Sequence, residues 1–172
     1  PLTTMTGRAE FNETFFTDVR VQADQIVKGR GDGWRVANIT LKYERMLLGD
    51  PSKLMHRLNS IQNLMERTEI DGARIIELSE YRDRLLKLQG EVLAWKYHGM
   101  RLLTDLTNDE DSGVRRLIVK YVGTMLGHRL ASLAVDVLGA AGLSYDPQGE
   151  DKDDDEATTW HIDCMYDVGL II

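Results

Sequence analysis

"EFNETFFTDVRVQADQIVKGRGDGWRVANITLKYER", residues 10–45, changes its pattern halfway along, and that change decides how the chain is read. Up to Lys28 the stretch is rich in Thr, Val and Phe and alternates loosely, as half-buried strands do. One or two strands are therefore expected over "EFNETFFTDVRV" (10–21). "KGRGDGW" (28–34) sets Gly29, Gly31 and Gly33 close together and reads as a turn, with Asp32 placed to cap the next helix. From Gly33 onward the apolar residues recur at helical spacing, so a first helix is expected over Gly33–Leu48.

The helical pattern then persists. "GDPSK" stops the first helix, because Pro51 cannot continue it and Asp50 suits the position before a new one. A second helix is expected from Ser52 to Arg67, with "TEIDGAR" as connector. A long third helix, Ser79 to Leu106, carries Leu85, Leu88, Val92, Trp95, Leu102 and Leu106 at spacings that suit antiparallel bundle packing. "TNDEDSG" breaks it. A fourth helix, Val114 to Leu138, carries Leu117, Tyr121, Met125, Leu133 and Val137, and its small residues Gly123, Gly127 and Ala131 allow close helix approach. A polar loop over 139–156 leads to "TTWHIDCMYDVGLII", the start of a last helix. The fold class is thus mainly α: a bundle of four or five helices preceded by a short β segment.

Composition excludes several functions. Hydrophobic residues make up 42% of the 172, enough for a core. A net charge of -7 argues against sequence-independent nucleic-acid binding, which needs clustered Lys and Arg. A single cysteine, Cys164, excludes an internal disulfide and a paired-cysteine metal site. No apolar run approaches the ~20 residues of a membrane span. No targeting peptide is visible, and a cytoplasmic location is expected, a mitochondrial one being left open. The chain starts without Met and ends on the apolar "DVGLII", which reads as a fragment cut at both ends.

Few residues advertise chemistry. His56, His98, His128 and His161 are scattered without ligand spacing. "DKDDDE" (151–156) lacks the glycine and the closing glutamate of a calcium loop, so no metal site is expected. "LGAAG" (138–142) reads as a helix C-cap whose N–H groups could also meet a phosphate. Glu44 stands out: Leu41 precedes it by three residues and Leu48 comes four after it, so all three share one stripe. Burying an ionised carboxylate is costly. Residue chemistry leaves three explanations open: an error of phase, an ion pair with Lys42 or Arg45, or a general base.

The opening stretch resembles the segment of acyl-CoA dehydrogenases that leaves the middle β-domain and enters the C-terminal helical bundle. Phe15, Phe16, Asp18, Val19, Val21, Gly33 and Trp34 fill that family's pattern, with Gln22 in place of its usual proline and Lys28 in place of its usual glycine. "LGHRLASLAVDVLGAAGL" (126–143) is similar to the family's late bundle helix and glycine turn. The resemblance implies that residues 1–28 are the tail of the β-domain and 29–172 the helical bundle domain, its last helix incomplete. It implies FAD as cofactor, an acyl-CoA thioester as substrate, an electron-transfer flavoprotein or similar acceptor, and a homo- or hetero-oligomer, dimer or tetramer. Some family members carry their catalytic base as an "ER" dipeptide in the first bundle helix. "YER" here puts Glu44 in that role, with Arg45 and Tyr43 as substrate-binding neighbours. Leu41 and Leu48 suit a base whose charged form is disfavoured by desolvation. The family's other site for the base would fall about two residues after Ile172.

The resemblance also has gaps. An Arg-x-x-Phe-Gly motif contacts the flavin of a neighbouring subunit in the family; here Arg67 stands near its place with no Phe-Gly after it. In the glycine turn, Asp136 replaces the usual glutamine and Ala140 the second glycine, beside Gly139. Asp136 would repel a pyrophosphate. Such losses suit divergent members with unlike subunits, some acting on sterol side chains or other bulky acyl groups in β-oxidation. Three readings are compatible with the resemblance: an FAD-dependent dehydrogenase with Glu44 as base, a catalytically silent subunit of a hetero-oligomer, and a flavin monooxygenase on the same fold. A helical interaction module of another class would make the opening motif coincidence.

Overall fold

A computed structural model describes residues 1–4, 9, 11–108, 110, 113–143 and 160. Four α-helices dominate: α1 Gly33–Leu48, α2 Pro51–Arg67, α3 Ser79–Thr107 and α4 Gly113–Leu138. Each starts or stops for a local reason. Pro51 occupies the first turn of α2, and the Asp50 carboxylate accepts the Ser52 N–H at 2.9 Å. Asp32 does not cap α1 as expected; its carboxylate turns back to accept the Gly29 N–H at 3.0 Å. The connector after α2 is a hairpin, β1 Glu69–Ile70 against β2 Ala73–Arg74, turned by Asp71 (φ 52°) and Gly72 (φ 80°). Two successive positive φ angles are what a tight two-residue hairpin turn requires.

The core is one cluster. α2 contributes Leu54, Leu58, Ile61, Leu64 and Met65; α3 contributes Leu85, Leu88, Val92, Trp95 and Leu102. Each buried Leu or Ile stabilises by about 1.5–3 kcal/mol relative to exposure. α4 packs against α1, α2 and α3 and is the central helix. It buries Gly123, Gly127 and Ala131, as the small-residue spacing implies. Its apolar stripe keeps the expected Leu133 and Val137 and is otherwise shifted: Val119, Leu126 and Leu130 are buried, whereas the expected Leu117 and Tyr121 are exposed. Both lie two residues from Val119, which on a helix is nearly the opposite face. Leu106 is also exposed, since the inward position of the last α3 turn goes to Asp105.

The short connections make α2, α3 and α4 run up, down and up. One end of the bundle therefore holds the α1–α2 junction, the second half of α3 and the start of α4. The other holds Arg67, the hairpin, the start of α3 and the end of α4. The expected strands of residues 10–21 do not form ladders among the described residues. Only an antiparallel bridge, Leu2 with Phe11, and a 3₁₀ turn at Ala23–Gln25 are present there. Phe15, Phe16, Val19 and Val21 are exposed, so no partner strand or sheet face among the described residues covers them. The expected last helix lies outside the described residues except for Trp160, which is helical and buried in the core. "DKDDDE", His161 and Cys164 also lie outside them.

Candidate functional site

Two groups of candidate residues emerge, at opposite ends of the bundle. Glu44, Tyr43 and Lys42 sit on α1, all exposed. Arg45 continues the helix; its side chain, like those of Met46 and Leu48, lies outside the described ones. The expected burial of Glu44 is thus not found in this chain. The reason is that the first three turns of α1 have little cover among the described residues: Val36 is half-buried, but Trp34 is 80% exposed, Tyr43 63%, and Ile39 and Leu41 are exposed too. Glu44 is a carboxylate on a largely apolar, uncovered helix face.

Just past it, at Gly49, the chain turns into α2 and meets α3. A half-open cleft of ≈ 320 Å³ lies there, with Pro51, Trp95, Gly99, Leu103 and Val119 among its walls. Trp95 is buried and donates its Nε1–H to the Gly49 carbonyl at 2.8 Å. His98 stacks on Trp95, ring centres 4.6 Å apart, and its Nε2 lies 3.0 Å from the Arg115 carbonyl. The junction is tight. A Cβ on Gly49 would meet the Val119 carbonyl oxygen at 2.6 Å, and one on Gly99 the Pro51 ring at 2.9 Å. Sequence reasoning misses this cleft. Its one signal is a glycine inside an otherwise regular α3 pattern, which often marks close approach of another element.

Deeper along the same end, Asp105 is fully buried. Arg115 of α4 grips one of its oxygens through Nε and Nη2, both at 2.8 Å, and Arg101 stands 3.5 Å from the other. That second oxygen, Oδ1, has no hydrogen-bond partner among the described residues. The arrangement ties α3 to α4 next to the cleft.

The expected cofactor-contacting residues lie at the other end. Arg67 closes α2 and is exposed. Asp136 is in the last turn of α4, and its carbonyl accepts the Gly139 N–H at 3.2 Å. Gly139 adopts φ 56°, which glycine accepts freely, and an added Cβ would meet nothing within 4 Å. Ala140 is exposed beside it. Asp136 is not a bare negative charge: Arg84 of α3 donates to its carboxylate at 2.6 Å. No sequence pattern points to Arg84, because its partner lies far away in the chain. The turn thus presents an uncrowded backbone with a guanidinium beside it, a donor set that fits a phosphate-bearing cofactor. About 20 Å of α3 separates Arg84 from Gly99, so one chain does not bring Glu44 and the Gly139 turn to one point.

Lys28, where the family has glycine, adopts φ 69°, the left-handed region that favours glycine. Lys28 thus holds a backbone conformation that glycine adopts at lower cost.

Residues 31–164 match the sequence model of the acyl-CoA dehydrogenase C-terminal domain. Acyl-CoA dehydrogenase IpdE1 of Mycobacterium tuberculosis is 36% identical over 158 residues, covering 87% of this chain and 37% of that protein. Acyl-CoA dehydrogenase FadE34 of the same organism is 27% identical over 143 residues, covering 83% of this chain and 19% of that one. Butyryl-CoA dehydrogenase from Megasphaera elsdenii has the same fold over 91% of this chain and 42% of its own, with a TM-score of 0.69 at 16% identity. The chain therefore spans well under half the length of these relatives. No helix of the described residues is long and apolar enough to cross a membrane. The chain belongs to the acyl-CoA dehydrogenase family and carries its C-terminal helical domain.

Proposed function

We propose that this chain is part of an FAD-dependent acyl-CoA dehydrogenase that removes two hydrogens from the α and β carbons of an acyl-CoA thioester, with Glu44 as the base. The observation that carries the reading is Glu44 itself: a carboxylate in a "YER" sequence, on the uncovered apolar face of a helix in a family domain. The thioester carbonyl acidifies the α C–H bond. The Glu44 carboxylate accepts that proton, and the β hydrogen departs with its electron pair as the carbon–carbon double bond forms. Bound FAD supplies the acceptor for that hydride. The exposed α1 face, with Trp34 and Leu41, excludes water from the thioester once covered, which strengthens the pull of fixed charges there. Tyr43 and Arg45 flank the reacting carbons. At the far end, Arg84 and the backbone of Gly139 and Ala140 would hold cofactor phosphates, and Arg67 would stand at their edge. Since that end is distant from Glu44, the two sets serve different copies of the site, which calls for an oligomer.

Residues 1–28 are read as the tail of a β-domain. Their exposed Phe15, Phe16, Val19 and Val21 then pair as strands in a sheet that includes further polypeptide. The reoxidising partner is an electron-transfer flavoprotein or similar acceptor. A second reading, a catalytically silent subunit, draws on the hairpin at 69–74, where the family's Phe-Gly motif is missing. One experiment separates the two. A 3-thia-acyl-CoA has no β hydrogen, so it can lose only its α proton. In the assembled flavoprotein in D₂O, wild type should exchange that proton and Glu44→Gln should not. Equal exchange by both would remove Glu44 from the mechanism, and none by wild type would favour the silent subunit.

A further inference from the structure

We propose that the outward face of α3 is a self-association surface on which two copies of this chain pack α3 against α3, antiparallel, about a two-fold axis at Leu93. The occupant of the face is thus a second copy of the same chain. The proposal rests on the oligomer that the dehydrogenase reading calls for and gives it a face and a register.

α3 is apolar on two sides. Leu85, Leu88, Val92, Trp95 and Leu102 belong to the core. Leu86, Leu93, Tyr97 and Met100 make a second stripe, and all four are exposed. Their spacings of seven, four and three residues keep them in line along a helix. No element among the described residues covers them. A helix that is apolar on more than one side is normally buried on more than one side.

The stripe has the symmetry of a two-fold contact. Such a contact uses the same patch on both molecules, so an antiparallel helix pair must match when one copy is read in reverse. Leu86 and Met100 stand seven positions either side of Leu93. Centred on Leu93, the pair sets Leu86 of each copy against Met100 of the other, and Leu93 against its own counterpart. Tyr97 falls opposite Gln89 and Gly90, where only one side chain stands. The charges follow the same order. Asp83 and Arg101 lie on one flank of the stripe, their side chains 62% and 65% exposed. In this register Asp83 of each copy comes within two residues of Arg101 of the other, about 3 Å along the axis. Opposite charges therefore meet at both ends of the contact.

The same packing brings together what one chain keeps apart. Arg84 stands nine positions before Leu93, so it comes level with Leu102 of the second copy. That is within about a turn of Gly99, where Pro51 meets α3. The cofactor turn of one copy and the α1–α2 junction of the other then lie at one level. A parallel pair would leave them at opposite ends.

The test is sedimentation of the full 172-residue chain over a range of concentrations, with far-UV circular dichroism as the control for folding. Wild type should dimerise, and Leu93→Lys should weaken the dimer by about a hundredfold or more, because it sets two buried like charges on the axis. Asp83→Arg and Arg101→Asp should each weaken it about tenfold by facing like charges. Mixed together, these two variants should associate as well as wild type, since every facing pair is then opposite in sign. A structural defect in either variant would not be repaired by mixing, and this arm stands even if Leu93→Lys fails to fold. A monomeric wild type would overturn the proposal. Association that Leu93→Lys leaves unchanged would assign it to another face, such as the exposed part of α1, and overturn it too. Loss in both charge variants without recovery on mixing would overturn the antiparallel register. None of these readouts needs flavin or thioester. A dimer in this register whose assembled flavoprotein bleaches with no acyl-CoA would therefore support the interface and count against the dehydrogenase reading alone.

Discussion

Lys28 and Asp105 show how single residues carry cost in this chain. A side chain in the left-handed region costs roughly 1–2 kcal/mol per residue, partly offset for glycine by its freer unfolded state. Lys28→Gly should therefore raise stability by about 0.5–1 kcal/mol, read as a higher urea midpoint at unchanged slope. Asp105 has no route to water, whereas Arg115 is partly exposed. Removing the cation strands a buried charge, which costs about 3–5 kcal/mol. Arg115→Ala should accordingly be much more destabilising than Arg101→Ala, because Arg101 is largely exposed and stands 3.5 Å from the carboxylate, beyond an ordinary hydrogen bond. Comparable midpoints for the two variants in denaturant unfolding would contradict this. Neither Asp105 nor Arg84 can be picked out from the sequence, because their roles depend on which helices lie side by side. The Glu44 stripe, by contrast, is visible from spacing alone. What spacing cannot tell is whether anything covers that stripe, and nothing among the described residues covers Leu41 or Glu44.

At the scale of elements, helices are legible to within a residue or two, because Pro51, the glycine turns and the apolar periods all agree. The hairpin reads only as a connector, although Asp71–Gly72 is a strong turn signal; strands of two residues are too short to show alternation. The strands expected over residues 10–21 are absent among the described residues for a different reason. β-propensity describes fit to a half-buried pleated surface, and no such surface is present among the described residues. The expected α4 stripe holds at Leu133 and Val137 and fails at Leu117 and Tyr121, since a helix apolar on most sides has no single dominant phase. Glycines separate two kinds of helix packing. Gly90 of α3 has open space where a Cβ would go, so Gly90→Ala should stabilise by about 0.5–1 kcal/mol through helix propensity. Gly49→Ala must push against the Val119 backbone and should cost about 1–3 kcal/mol. Thermal unfolding of the two variants should move in opposite directions.

For the whole molecule, the arrangement of sites matters more than any one contact. The candidate base and the candidate cofactor turn lie at opposite ends of the bundle, and the apolar side chains Trp34, Ile39 and Leu41 of α1 and Phe15, Phe16, Val19 and Val21 are largely uncovered among the described residues. The 172-residue chain alone should then not retain flavin: mixed with FAD and passed through a desalting column, it should emerge without absorbance at the flavin band. The central claim is that Glu44 takes the proton when an acyl-CoA is oxidised. The most direct measurement is anaerobic mixing of acyl-CoA with the assembled flavoprotein, tracking loss of flavin colour in wild type and Glu44→Gln. Bleaching in wild type, slowed by a factor on the order of 10²–10⁴ or more in Glu44→Gln with flavin still bound, is the predicted result. Equal bleaching rates in the two proteins would contradict it and place the base elsewhere.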